Sequence, residues 1–237
     1  MREPHHVGSD SERLRMAIHP SFTARRRMAR PISITRAIIL LLLSLFAATQ
    51  ASAYTVTIGT GPKAAYLRVG DGSITGGNYN AGGTPAANTT VNLVSVTVPA
   101  NVVGNTVDQA MTGTGRTTSD WDGFAFCNAG QVYIGAFFRL PTNPNQSATL
   151  RATAPTALTS AGGDTIPITQ ITWTSSGNGD AGAQPFPAGA FAGGTQTLAT
   201  LLRNTWAESC HTFSYGNDAI VPSGTYNARV TYTLATP

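Results

Sequence analysis

Charge is scarce in this sequence, at 11% of 237 residues, and neither sign gathers into the blocks that mark disordered acidic or basic chains. The glycines follow no Gly-X-Y period and no heptads occur, so collagen and coiled coils are excluded. After residue 53 there is a single histidine, His211, and a single glutamate, Glu208; the only cysteines are Cys127 and Cys210. One His and two Cys cannot make a zinc cluster of ordinary ligand spacing, and a G-x-S-x-G elbow is missing. Helical periodicity is also weak. What remains is rich in glycine, proline, threonine and asparagine, with ample length for a real core.

The formal net charge of +4 points toward nucleic acid or anionic lipid until it is divided. Residues 1–53 carry eight arginines against three acids, a net of +5. Residues 54–237 carry seven basic residues against eight acids, a net of −1. The basic character belongs to the leader, and a nucleic-acid partner loses its electrostatic argument.

That leader reads as an export signal. Arg30 and Arg36 precede an apolar run, Ala37 to Ala48, followed by Ala51-Ser52-Ala53. A basic region, an apolar stretch of 7–15 residues and a small-x-small site form a secretory signal peptide. The run of about twelve residues is shorter than the roughly 20 a bilayer span needs. Cleavage after Ala53 makes Tyr54 the mature N-terminus and leaves no membrane span. Residues 1–27 lengthen the leader beyond the norm, which suggests translation from Met28. The expected location is secreted, periplasmic or on the cell surface.

Export places both cysteines in an oxidising compartment, so a Cys127–Cys210 disulfide is the expectation, with two free thiols as the alternative.

Residues 54–237 show short alternations of apolar and polar side chains between Gly, Pro, Asn and Ser clusters, as antiparallel strands and turns do. Tyr226, Ala228, Val230, Tyr232 and Leu234 face one way, and Thr225, Asn227, Arg229, Thr231 and Thr233 the other. Similar patterns run through 54–58, 94–98 and 148–153. Phe124 to Cys127 and Val132 to Phe138 flank Asn128-Ala129-Gly130 and read as a central hairpin. Ile166 to Thr174 reads as one further strand and His211 to Tyr215 as another, about nine in all. Thr197 to Asn204 offers a turn or two of helix. The expected fold is all-β: an immunoglobulin-like antiparallel β-sandwich of two disulfide-stapled sheets, with 54–237 as one elaborated domain.

Chemistry is hard to find. Glu208 reads as a surface acid at a strand end, and His211 as a strand histidine satisfied by local hydrogen bonds. Asp120-Trp121-Asp122 and Gly177-Asn178-Gly179-Asp180 offer oxygen ligands of the kind calcium takes, but neither follows the EF-hand pattern. Neither a metal site nor a cofactor is expected, and no catalytic residue is assigned. Trp121, Trp206 and Tyr79 are the candidate ligand contacts, as aromatics of loop-like segments that could stack on sugar rings. The competing reading packs Trp121 and Trp206 against the disulfide.

From Gly224-Thr225-Tyr226 through Tyr232-Thr233-Leu234 the closing strand resembles those of secreted bacterial immunoglobulin-like domains, notably fimbrial subunits of the chaperone–usher type and spore-coat-U-like pilins. Gly224 is the fourteenth residue from Pro237, as in fimbrial closing strands, but the penultimate residue is Thr236 where that family carries tyrosine. The resemblance covers about fifteen residues. It implies a partner engaged by β-strand addition, with Tyr54-Val56-Ile58 as a short donor cut off by Gly59, Gly61 and Pro62.

The resulting expectation is an exported, non-catalytic structural or adhesive surface protein, associated with fimbriae if the resemblance holds. The alternatives are a carbohydrate-binding module engaging surface glycans through loop aromatics, and a secreted hydrolase.

Overall fold

A computed structural model describes residues 54–71, 74–78, 82–85, 92–141 and 145–237. The leader with its cleavage motif, the alternative start at Met28 and the candidate contact Tyr79 lie outside the described residues.

The described chain is nearly all β, in antiparallel sheets. In chain order the strands are β1 (Thr55–Thr57), β2 (Ala64–Val69), β3 (Ile74–Asn78), β4 (Gly82–Pro85), β5 (Val94–Ser95), β6 (Gln109–Ala110) and β7 (Thr112–Gly113). The long β8 (Val132–Arg139) and β9 (Ser147–Ala154) follow, then β10 (Ala157–Ser160), β11 (Thr165–Pro167) and β12 (Ile171–Ser176). The last five are β13 (Gly189–Ala190), β14 (Gly194–Leu202), β15 (Thr205–Tyr215), β16 (Tyr226–Asn227) and β17 (Thr231–Ala235). Among the described residues no helix is long and apolar enough to cross a membrane.

The main sheet runs β13-β12-β15-β8-β2 and is organised on β15. One edge of β15 carries β8 along Thr205–Ser209 and β6 at Ser214–Tyr215. The other carries β1 along Thr205–Ala207 and β12 along Cys210–Tyr215. A second sheet, β14-β9-β17, supplies Ala148, Leu150, Ala152 and Leu201 to the same apolar clusters as Ile134, Ala136, Phe138, Phe213 and Trp173 of the main sheet. Burying a side chain such as Ile134, Leu150 or Phe138, all at 0% exposure, contributes about 1.5–3 kcal/mol. The small alanines of β9 let the sheets close on the larger residues opposite.

Several expectations are corrected, and the reasons are tertiary. Phe124 to Cys127 is not the hairpin partner of β8, because both edges of β8 are taken by β2 and β15. The segment instead folds on itself, with a Thr118–Ala125 bridge and a hydrogen bond from Cys127 to Thr117, and lays Phe126 on the outer face of the main sheet. It reads as apolar because it covers a sheet. Of the Thr197 to Asn204 run, Thr197 to Leu202 is strand rather than helix and Arg203-Asn204 is the turn into β15, since two isolated helical turns are too short to nucleate in water and β9 offers a full ladder with one bulge at Leu198.

The 166–174 run divides into β11, a 3-10 turn at Ile168–Gln170, and β12. The closing run divides likewise: β16 joins β10 and β17 joins β9, so the chain changes sheets between them. Tyr232 and Leu234 still face the core, as the alternation requires. Of the 94–98 alternation only Val94–Ser95 enters a ladder, although Val94, Val96 and Val98 all pack on the core.

Candidate functional site

The outer face of the main sheet carries side chains in cross-strand rows. Residues directly opposite on neighbouring strands share a face, so the register defines each row. Tyr66 of β2, Phe137 of β8 and Trp206 of β15 form the first. Arg68, Gly135 and Glu208 form the second. The chemistry gathers at this second row.

Gly135 has a specific reason to be there. A Cβ at this position would lie 2.8 Å from Cζ of Tyr133 and closer still to its hydroxyl. Tyr133 stands two residues earlier on the same face and leans along the strand across the empty place. Its hydroxyl thereby reaches Glu208 and donates to Oε2 at 2.6 Å. Ser119 Oγ donates to the same oxygen at 3.0 Å. The loop is fastened in return, since the Tyr133 hydroxyl accepts from the Asp120 amide at 3.2 Å and Ser119 Oγ accepts from the Trp121 amide at 3.0 Å.

Asp120 extends the network to β2. Its carboxylate pairs with Arg68 Nε at 2.5 Å and with Arg116 Nη1 at 2.7 Å, and accepts from the Tyr66 hydroxyl. Arg68 Nε also donates to the Tyr66 hydroxyl at 3.0 Å, and Arg116 holds Thr118 through its carbonyl and hydroxyl.

Burial governs the protonation of these groups. It pushes the Glu208 carboxyl above its ordinary value, against the pull of hydrogen bonds from Tyr133 and Ser119. The Tyr133 and Tyr66 phenols are driven above the ordinary tyrosine range, first by burial and then by the carboxylates beside them. Both phenols therefore remain protonated donors. Glu208 is the correction that matters most: the expected surface acid has 0% exposure and lies at the centre of a closed network. A carboxyl so enclosed meets no substrate in this conformation.

The opposite face of β15 has a second buried group. His211 is 1% exposed and stacks on Trp173 at 5.6 Å. Its Nε2 lies 3.1 Å from the Phe186 carbonyl; a carbonyl only accepts, so Nε2 carries the proton. Desolvation lowers its pKa from 6.5 to about 4, and the imidazole is neutral near pH 7. Ser175 Oγ also donates to the Phe186 carbonyl, Ser209 Oγ accepts from the Phe186 amide, and the Trp173 indole donates to Pro187. Glu208 and His211 thus tie down one covering segment on each face of the strand.

Cys127 and Cys210 form the expected disulfide, with Cα atoms 5.5 Å apart. It joins β15 to the covering loop on the outer face and does not run between the two sheets.

The candidate contacts part company. Trp206 belongs to β15 rather than to a loop and has 0% exposure. Tyr66, Phe137 and Trp121 pack around it at 5.4–6.2 Å, so it offers no face to a sugar ring. Trp121 is half-buried and lies against Trp206, tilted at 5.9 Å. The two tryptophans come together as packing on the main sheet, beside the disulfide cluster. Of the suggested oxygen ligands, Asp120 is committed to arginines. Asp122 accepts from the Tyr54 hydroxyl and the Phe124 amide, and Asp180 from Gly182, Gln184 and the Tyr54 backbone nitrogen. Among the described residues no group of three His, Cys, Asp or Glu side chains is placed to hold a metal ion.

The network escaped sequence reasoning because its members, Tyr66, Arg68, Ser119, Asp120, Tyr133 and Glu208, are scattered over four segments, three strands and a loop. The one local signal was the Tyr133-x-Gly135 spacing, an aromatic next to an empty position on the same face of a strand. Comparison with family models, with curated proteins and with solved structures gives no match to this chain.

Proposed function

We propose that this chain is an exported structural or adhesive protein of the cell surface or periplasm, an immunoglobulin-like β-sandwich without a catalytic role. The observation that supports it most directly is the fate of the two side chains on which acid–base chemistry would depend. Glu208 and His211, the only glutamate and histidine after residue 53, are both buried in β15, and each is spent on holding a covering segment. The cysteines are oxidised to each other and supply no thiolate. Two antiparallel sheets facing across shared apolar clusters suit a sandwich that displays loops.

The N-terminal strand bears on assembly. β1 pairs with β15 of its own chain, so the segment suited to donation already completes its own sheet. On this reading attachment to fimbriae or to another surface uses displayed loops, and the subunit is complete without a donor strand.

The test has two arms. Material recovered from the exterior or periplasm should begin at Tyr54, refold reversibly without chaperone or peptide, and turn over none of a broad set of ester, peptide and glycoside substrates. Activity that is present in the wild type and lost in Glu208→Gln or His211→Ala would overturn the reading.

A further inference from the structure

The first residue after the expected cleavage site is held at three points. The Tyr54 backbone nitrogen donates to Asp180 Oδ2 at 2.5 Å, across 126 positions of sequence. Its ring packs at 5.3 Å on Phe126 and joins the cluster built on the disulfide. Its hydroxyl donates to Asp122 Oδ2 at 2.9 Å. The ends of domains ordinarily fray unless something ties them down. Here the tie reaches the backbone nitrogen itself.

Asp180 is prepared to receive it. A bridge between Gly177 and Asp180 closes the turn that follows β12, and the Asn178 amide bonds the Phe126 carbonyl. Oδ1 of Asp180 accepts from the Gly182 amide at 2.9 Å, and Oδ2 accepts also from Gln184 at 3.1 Å. β1 and β12 occupy the same edge of β15 end to end, which brings this turn beside Tyr54.

We propose that the Gly177–Gln184 turn is a receptor for the chain's own new N-terminus: once the Ala53–Tyr54 bond is cut, the Tyr54 α-ammonium pairs with the Asp180 carboxylate and latches β1 onto the sheet. The proposal rests on the export reading given above. The cut is a hydrolysis by an endopeptidase that takes small residues at the first and third positions before the bond, here Ala53 and Ala51. Water adds across the amide, Ala53 leaves as a carboxylate, and the Tyr54 nitrogen takes up protons to become an ammonium. A neutral amide donor thereby becomes a cationic one, which adds ion pairing to a hydrogen bond that the Asp180 carboxylate already charge-assists. Processing would then stabilise the fold as well as release it.

The titratable and charged groups around this nitrogen are Asp180, Asp122 at the far end of the tyrosine ring, the Tyr54 phenol itself, and Glu208 and Tyr133 on the strands beneath. An α-ammonium paired with a carboxylate keeps its proton above the ordinary range of about 7.7–8.0. The stabilisation is therefore full below that range and is lost as pH rises through the elevated value.

The experiment uses the full chain expressed with export and recovered after processing. After cleavage it holds two amines, the Tyr54 α-amine and Lys63, the only lysine in the sequence. Amine acylation at pH 7, read by mass spectrometry, should modify the Tyr54 nitrogen at least tenfold more slowly in the wild type than in Asp180→Asn, with Lys63 unchanged. The melting temperature of the wild type should fall by a few degrees between pH 7 and pH 9, and Asp180→Asn should lose most of that fall. If Asp180→Asn does not fold, the wild type native and in urea provides the same comparison of acylation rates. Equal protection of the α-amine in both states, or coincident pH curves for the two proteins, would overturn the latch. So would an exported chain that begins at a residue other than Tyr54, and that result would leave the export reading standing. Uncleaved cytosolic protein would overturn both.

Discussion

The Tyr133 hydroxyl meets Glu208 Oε2 at 2.6 Å by crossing the space above Gly135, the residue directly opposite Glu208 in the ladder. One absent methyl group thus connects the centre of the main sheet to the loop that covers it. β15 carries this connection on its outer face and the His211–Phe186 connection on its inner face. Each buried polar group organises a segment that has no strand partner of its own, and its hydrogen bonds offset only part of its desolvation.

Gly135→Ala tests the crossing. The new methyl should drive Tyr133 from its rotamer and destabilise the protein by about 1–3 kcal/mol, the usual range for overpacking. In a Tyr133→Phe background the cost should shrink, because the atom nearest the added methyl is gone. Urea unfolding of both single variants and the double variant measures the coupling; strictly additive costs would mean that the two positions do not meet as described.

Glu208 makes stability depend on pH with a definite sign. Its folded pKa is raised, so the native state holds the proton more tightly than the unfolded chain. Its contribution is greatest below the ordinary value of 4.5 and is lost as pH rises from there through the folded value. Glu208→Gln should remain near wild type at pH 4 and become progressively more stable than wild type toward pH 8. Glu208→Ala should be destabilised by roughly 1–3 kcal/mol, since two buried hydroxyls lose their acceptor. Denaturant midpoints across that pH range decide both.

His211 acts in the opposite direction. Its folded pKa lies below the unfolded value, so its contribution is complete above pH 6.5 and is lost as pH falls from 6.5 through about 4. A shift of that size is worth about 3 kcal/mol. His211→Gln keeps an N–H donor for the Phe186 carbonyl without a group that charges in acid. The difference in stability between wild type and this variant should shrink on acidification over that window. A difference that stays constant with pH would show that the histidine is not buried as a neutral ring.

The disulfide closes a loop of 83 positions, for which chain entropy assigns about 4–5 kcal/mol as an upper figure. Replacing Cys127 and Cys210 by serine should lower stability by up to that amount. It should also open the Thr117–Cys127 loop to proteolysis before the sheets unfold, because the loop would lose its covalent tie to β15 and keep only non-covalent ones. Limited proteolysis with fragment mapping reads this directly.

The sequence by itself determined the β character and its antiparallel turns, because a period of two in runs such as Ala148-Leu150-Ala152 and Tyr232-Leu234 is a local property of the pleat. It also determined which two residues a disulfide could join, because Cys127 and Cys210 are the only cysteines; the structure shows them joined. Tertiary structure decided what local pattern cannot carry: that Phe124–Cys127 covers a sheet instead of entering one, that Thr197–Leu202 is drawn into a strand by β9, and that Trp206 lies in the interior. Above all it decided the surroundings of Glu208. An acid between Trp206 and Cys210 reads the same on a wet face or a dry one. Only the register of three strands, and a loop folded back over them, puts that carboxyl under Tyr133 and out of water.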